Sequence, residues 1–319
     1  PDPSSITPVY RVRGTADRLL FQVKAGASCT YRFTDVTASK FPVQGDMTVD
    51  VDVLDVNGDP HPDLYVTNGR YPLIHGADFN DRVLVNVDCG GGTYGCFEDQ
   101  SATRLPGIPP SDPHNTSTIC DVDGRNGPDV VSATFSGPNR LLINNGAGVF
   151  VDESAVRLPA DPPCDLSHDV GCADWTGPVG VGGPDGYPDI FFARRGVDKE
   201  IFLANEGGPP GRPGYFTDAS TLLPDVYDTT SAMAVCDLER DRVPEVVLGN
   251  GCITAMLAES DRVLRWDAGR FSDADVALGF HFTGSSGVAA DVLDGGVTED
   301  IDCGDLNGEG YPDAVAIGN

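Results

Sequence analysis

The chain has 319 residues, 40% of them hydrophobic and 22% charged, with 49 acids against 21 bases and a formal net charge of -28. That composition supports a sizeable core and excludes a disordered acidic tail. The negative excess disfavours nucleic acid and anionic membrane as partners and suits divalent cations, and no run approaches the ~18 apolar residues of a membrane span.

In chain order, the first recognisable stretch is Asp17-Arg18-Leu19-Leu20-Phe21, followed by Phe33-Thr34-Asp35. An acidic loop comes next, Asp55-Val56-Asn57-Gly58-Asp59-Pro60-His61-Pro62-Asp63, which runs into Leu64-Tyr65-Val66. The opening pattern then returns as Asp81-Arg82-Val83-Leu84 with Phe97-Glu98-Asp99. Both motifs recur down the chain. Further acidic loops begin at Asp121, Asp174, Asp237 and Asp305, each leading into a short apolar run: Val130-Val131, Ile190-Phe191-Phe192, Val246-Val247-Leu248 and Ala314-Val315-Ala316. Between them lie Asn139-Arg140-Leu141-Leu142 with Phe150-Val151-Asp152, Glu200-Ile201-Phe202-Leu203 with Phe216-Thr217-Asp218, and Asp261-Arg262-Val263-Leu264 with Phe271-Ser272-Asp273. Runs rich in β-branched and aromatic residues between turn signals read as strands, and Gly (39) and Pro (25) supply the turns of an all-β chain.

Each unit therefore predicts about four short antiparallel strands in roughly sixty residues, the size of one β-propeller blade; a solenoid is the rival, with shorter repeats. The repeats argue for one domain over residues 1–319. The chain opens on the second half of a unit and ends on the first half of another, so the expected architecture is an all-β, five-bladed propeller closed by pairing its terminal strands, or a fragment of a seven-bladed ring. The start at Pro1 rather than Met is expected of a processed or cut product.

Oxygen side chains at alternate positions, a Gly or Pro bend and a closing carboxylate are what a hard cation needs, and calcium takes about six to eight oxygens. A lone copy of such a loop reads equally as a polar turn; five in phase favour structural calcium, in two to five of them.

Nine cysteines suggest an oxidising compartment. Cys89/Cys96 and Cys164/Cys172 read as local disulfides and Cys236–Cys252 as a bridge within one repeat, while an odd count leaves at least one thiol over. Cys29, Cys120 and Cys303 complete the set, with Cys120, Cys236 and Cys303 at or just before acidic loops. Asn115-Thr116-Ser117 is a glycosylation sequon on an expected loop.

These residues resemble the FG-GAP/VCBS repeat family, whose best-known members are the integrin α-subunit propellers. The resemblance covers nearly the whole chain and implies a calcium loop joining the first two strands of each blade. Positions one, three, five and nine then supply side chains and position seven a carbonyl. It implies Asp55, Asn57, Asp59 and Asp63 with the His61 carbonyl in the first loop, the best site, and Asp305, Asn307, Glu309 and Asp313 in the fifth. The fourth offers Asp237, Glu239, Asp241 and Glu245. The second offers Asp121, Asp123 and Asp129, with Arg125 at position five as a guanidinium able to replace the ion. The third offers Asp174, then, after an insertion through Gly183, Asp185 and Asp189, with Thr176 as a further oxygen.

Catalytic motifs are lacking: there is no nucleophile elbow, zinc-protease helix or phosphate-binding loop. His168, between Asp165 and Asp169, reads as part of a solvated loop rather than as an oriented base. Arg194-Arg195 and Asn68-Gly69-Arg70-Tyr71 read as ordinary turns after second strands, and Trp175 and Trp266 as packing residues before sugar-stacking ones. The expected function is a secreted or cell-surface interaction module, not an enzyme, that binds protein or glycan through inter-strand loops. A self-assembling subunit of an extracellular wall, sheath or filament, and the propeller of a polysaccharide lyase or phosphoesterase, are the alternatives.

Overall fold

The structure, a computed structural model, describes residues 17–24, 31–45, 47–69, 80–107, 114–135, 137–160, 166–196, 199–208, 210–251, 260–274 and 298–318. Its sheets follow the repeat. β1 (Leu20–Lys24) and β2 (Tyr31–Asp35) form a two-stranded sheet. Sheet one is β3 (Thr48–Leu54), β4 (Asp63–Asn68), β5 (Arg82–Val87) and β6 (Cys96–Asp99). Sheet two is β7 (His114–Cys120), β8 (Asp129–Thr134), β9 (Arg140–Asn144) and β10 (Phe150–Asp152). Sheet three is β11 (Ser167–Ala173), β12 (Asp189–Arg194), β13 (Ile201–Asn205) and β14 (Phe216–Asp218). Sheet four is β15 (Thr230–Cys236), β16 (Glu245–Asn250), β17 (Arg262–Asp267) and β18 (Arg270–Asp273). β19 (Thr298–Gly304) and β20 (Asp313–Gly318) form a final pair. The protein is thus all-β, built of four-stranded antiparallel sheets in simple up-and-down order, with helix confined to single turns among the described residues.

Side chains alternate across each strand, so every middle strand must bury both faces. β8, β9, β12, β13 and β16 are buried throughout for that reason. Their two faces feed different clusters: Val130 packs with sheet one and Val131 with sheet three. The core is accordingly four clusters, each lying between consecutive members of the series from sheet one to the β19–β20 pair. The first strands of the sheets stand side by side, β3 next to β7, β7 to β11, β11 to β15 and β15 to β19.

The Phe-x-Asp motif has a physical reading. Phe150, Phe216 and Phe271 are buried against the preceding sheet. The Asp accepts the N–H and hydroxyl of a Ser two residues on, as in Asp99–Ser101, Asp152–Ser154 and Asp218–Ser220. That Ser oxygen then accepts a third-strand N–H, from Val83, Leu141 or Phe202. The chain turns through one helical turn at each place: α1 (Thr37–Lys40), α2 (Ser101–Arg104), α3 (Ser154–Arg157) and a 3-10 turn at Ser220–Leu222.

A second recurring contact joins neighbours. At four places the polar residue opening a third strand reaches a hydroxyl at the start of the next first strand: Asp17 to Thr48, Asn139 to Ser167, Glu200 to Thr230 and Asp261 to Thr298. The Asp17 contact gives β1–β2 the place of third and fourth strands of a unit preceding sheet one. Among the described residues no ladder joins β1 to β20, and Leu20, Phe33, Val315 and Ile317 are exposed.

Two disulfide expectations are corrected. Cys89–Cys96 forms as expected, but Cys172 pairs with Cys120 rather than Cys164, and Cys236 with Cys303 rather than Cys252. Cys172 and Cys303 lie on first strands, directly beside the first strand of the preceding sheet, so their reach is to the adjacent repeat and not along their own chain. Cys29, Cys164 and Cys252 fall outside the described residues. The sequon residue Asn115 lies within β7, not in a loop.

Candidate metal centre

All five acidic loops join the first and second strands of their sheets, and all are organised by the closing acid, at position nine in four of them and, after the insertion, at position sixteen in the third. Asp63 accepts Val56 N–H on one oxygen and Asn86 N–H on the other, and Asp129 does the same with Val122 and Asn144. Asp189 takes the N–H groups of Trp175, Thr176 and Asn205 and the Thr176 hydroxyl. The Asn closing the third strand completes the frame by donating to the loop carbonyl, Asn86 to Pro62, Asn144 to Pro128 and Asn205 to Pro188. Asp63, Asp129, Asp189 and Glu245 are all fully buried. Burial pushes Asp129, Asp189 and Glu245 up to about 7 and raises Asp63.

The remaining positions differ from loop to loop. In the first, Asp55 accepts Gly58 N–H, Asn57 accepts Asp59 N–H and donates to Asp59, and Asp59 accepts His61 N–H. The side chains are turned into the loop's own backbone, as in Asx turns, while the His61 ring stacks on Tyr94. The fifth is similar, with Asp305 accepting from Gly308, Glu309 and Gly310 and Asn307 donating to Asp313. In the fourth, Asp237 accepts from Asp241 and Arg242, and Glu239 is ion-paired to Arg265. Trp266 stands where the other sheets have their closing Asn, and one Glu245 oxygen is buried with no partner. In the third, Asp174 accepts from Asp185 and Gly186, and one Asp185 oxygen is buried with no partner. Thr176 is spent on Asp189.

The second loop alone among the described residues brings three carboxylates together. Asp121, Asp123 and Asp129 each place an oxygen within 4.8 Å of the others. Asp123 is 8% exposed and its Oδ1 is buried without a partner. Arg125, expected to bridge these carboxylates, is exposed, and its backbone N–H donates to Asp121. The guanidinium that does reach the cluster is that of Arg157, from α3, at 3.2 Å from Asp123. Sequence spacing hid this contact because it comes from the other end of the sheet.

A cavity of about 890 Å³ lies along the first strands and was not foreseen; it is lined by Asp50, Asp52, Asp169, Asp300 and Asp302 among others. Three of these acids stitch neighbouring strands: Asp50 accepts Ser117 N–H, Asp52 accepts the Ser117 hydroxyl, and Asp169 accepts Met233 N–H and the Thr116 hydroxyl. Burial pushes Asp52 and Asp169 to about 7. His168 also lines the cavity, pushed down to about 4 by burial and by Arg195, which sits at 3.3 Å from its Nε2. Asp169 is turned away to its neighbours' strands, so it does not orient His168, and Asp165 lies outside the described residues. Trp175 is fully buried in the core between sheets three and four, its Nε1–H donating to Pro244 O, and Trp266 packs at the edge of that cluster. Arg194 is buried and donates to Lys199 O.

No protein-family model and no curated protein sequence matches this chain. Among solved structures it is similar to the V. cholerae biofilm matrix protein Bap1, with a TM-score of 0.39 and 16% identity over 71% of this chain. The match spans 39% of that protein's length.

Proposed function

We propose that the protein is an extracellular, calcium-stabilised β-propeller of the FG-GAP/VCBS type, acting as a protein- or glycan-binding module rather than an enzyme. The observation that carries the reading is the convergence of Asp121, Asp123 and Asp129, in which one Asp123 oxygen is buried and unpartnered. A buried carboxylate oxygen without a donor is costly in a bare protein and suited to a hard cation. The orphaned oxygens of Asp185 and Glu245 make the same case for the third and fourth loops. The ions would be held by these carboxylates and would neutralise them, pinning the hairpins; the partner would meet the inter-strand loops. The three disulfides favour an oxidising compartment.

The ring closes, in this reading, by adding β1 to β20. In every complete sheet the residue after the closing acid pairs with the third residue after the polar opener: Leu64 with Leu84, Val130 with Leu142, Ile190 with Leu203, Val246 with Leu264. The same rule sets Ala314 opposite Leu20. It also turns Val315 and Ile317 toward Val49, Val51 and Val53 of β3, all now exposed.

Two measurements test this. Excess chelator lowers the melting temperature sharply and calcium restores it; an unchanged melting curve sinks the calcium reading. A Leu20→Cys/Ala314→Cys variant cross-links within one chain; cross-linking only between chains would turn the reading to self-assembly.

A further inference from the structure

Two described cations pair with the third-position acid of an acidic loop, Arg265 with Glu239 at 30% and 32% side-chain exposure and Arg157 with Asp123, and the second pair is the enclosed one. The Arg157 side chain is 11% exposed and that of Asp123 is 9% exposed, with Nη1 at 3.2 Å from Asp123 Oδ2. Its Nε is paired with Glu153 one helical turn earlier, and its guanidinium lies 5.0 Å from the centre of the Tyr215 ring. The residue is walled in: a Cβ at Gly214 would come within 2.5 Å of Nη1. The corresponding residue of sheet one, Arg104, meets no carboxylate of its loop in this way; it donates to the carbonyls of Ala147 and Gly148. Asp123 therefore spends one oxygen on a resident cation and keeps the other buried and unpartnered, in a cluster with Asp121 and Asp129.

We propose that Arg157 is a built-in counter-cation that sets the divalent-cation affinity of the second loop. The inference rests on the calcium reading of that loop. A fixed positive charge beside Asp123 stabilises the ion-free loop and repels an incoming cation, so binding occurs against Arg157. Glu153 tempers this opposition by sharing the guanidinium, and the Tyr215 ring that meets Arg157 also carries Arg212, at 4.4 Å from its centre.

The test is calorimetric titration of the full chain with calcium chloride. Asp123→Asn removes one bound calcium. Arg157→Gln tightens that same site, by roughly tenfold or more for a unit charge removed from a few ångströms away. Glu153→Gln weakens it, because the guanidinium then serves Asp123 alone, and Arg104→Gln leaves it unchanged. In an Asp123→Asn background, Arg157→Gln has no effect on calcium binding. If Asp123→Asn removes no calcium, the calcium reading of the second loop fails and this inference with it. If Asp123→Asn removes a site yet Arg157→Gln leaves it unchanged or weaker, the loop binds calcium and the counter-cation role is overturned. The Glu153→Gln variant keeps the sign of the effect testable should Arg157→Gln not fold.

Discussion

The loops of sheets one and two carry three carboxylates each, Asp55, Asp59 and Asp63 against Asp121, Asp123 and Asp129, and share the same ninth-position frame. They part at position three. Asn57 satisfies itself within the first loop, donating to Asp59 and accepting its N–H. Asp123 has only oxygens to offer, so it draws Arg157 on one side and leaves a bare oxygen on the other. One loop is a self-contained turn; the other is an electrostatic problem solved half by a side chain. The ligand pattern alone ranks them the other way round, because it counts oxygens and not the donors that already engage them.

The two loops also differ in what anchors them, and breaking that anchor has the largest expected effect. β7, which leads into the second loop, is bonded to β11 through Cys120–Cys172, at a sequence separation of 52. β3, which leads into the first, carries exposed Val49, Val51 and Val53. On the chain-entropy view a disulfide closing a loop of this size stabilises by about 4 kcal/mol. Cys120→Ser/Cys172→Ser should lose most of that in denaturant unfolding, and amide exchange should show the second loop's protection falling toward that of the first. A loss below about 1 kcal/mol would mean that the inter-sheet core alone holds sheets two and three together.

The shared frame yields the next effect, and here the loops should behave alike. Asp63 and Asp129 each receive two backbone N–H groups from buried surroundings. Alanine at either position strands both donors, at about 1–3 kcal/mol apiece, so Asp63→Ala and Asp129→Ala should each cost about 3 kcal/mol in chelator. Asp55→Ala and Asp121→Ala, whose carboxylates serve exposed loop amides, should cost under about 1 kcal/mol. If Asp129→Ala costs no more than Asp121→Ala, the ninth-position acid is a ligand first and a structural clasp second.

How much of this was legible beforehand follows from the range of each interaction. The second strands, from Leu64-Tyr65-Val66 to Ala314-Val315-Ala316, and the Phe-x-Asp pairs are local patterns, and all fall on strands. Cys89–Cys96 spans one hairpin and was equally readable. Cys120–Cys172 and Cys236–Cys303 were missed because they join first strands of consecutive repeats, at positions one residue apart, a neighbourhood that exists only once sheets stack. Arg157 was missed for a kindred reason: Arg125 sits at a ligand position of the loop itself, while the cation that pairs with Asp123 comes 34 residues later in the chain. The central cavity is assembled from five first strands, and no single repeat encodes it.

The smallest effect at pH 5, and the most diagnostic in sign as pH rises, concerns the contacts that tie sheets two and three to the sheets that follow them. Sheet two uses Asn139, whose side-chain oxygen accepts Thr134 N–H and whose amide donates to Ser167. Sheet three uses Glu200, which accepts Arg194 N–H and pairs with the Thr230 hydroxyl. Burial pushes Glu200 from 4.5 up to about 8, so the folded protein holds its proton at pH values where the unfolded chain has lost it. A raised acid contributes fully below the unfolded value and loses that contribution as pH rises through the folded one. Stability should therefore decline between about pH 4.5 and about pH 8 on this account. Glu200→Gln, which copies the neutral amide of Asn139, should cost under about 1 kcal/mol at pH 5 and remove the Glu200 share of that decline, leaving the shares of Asp52, Asp129, Asp169, Asp189 and Glu245. Because Glu200 belongs to no acidic loop, the flattening should be the same in calcium and in chelator. A slope that vanishes on adding calcium while Glu200 is intact would assign the titration to the loop carboxylates instead, and Glu200 would be a clasp like Asn139 in its pH behaviour as well as its geometry.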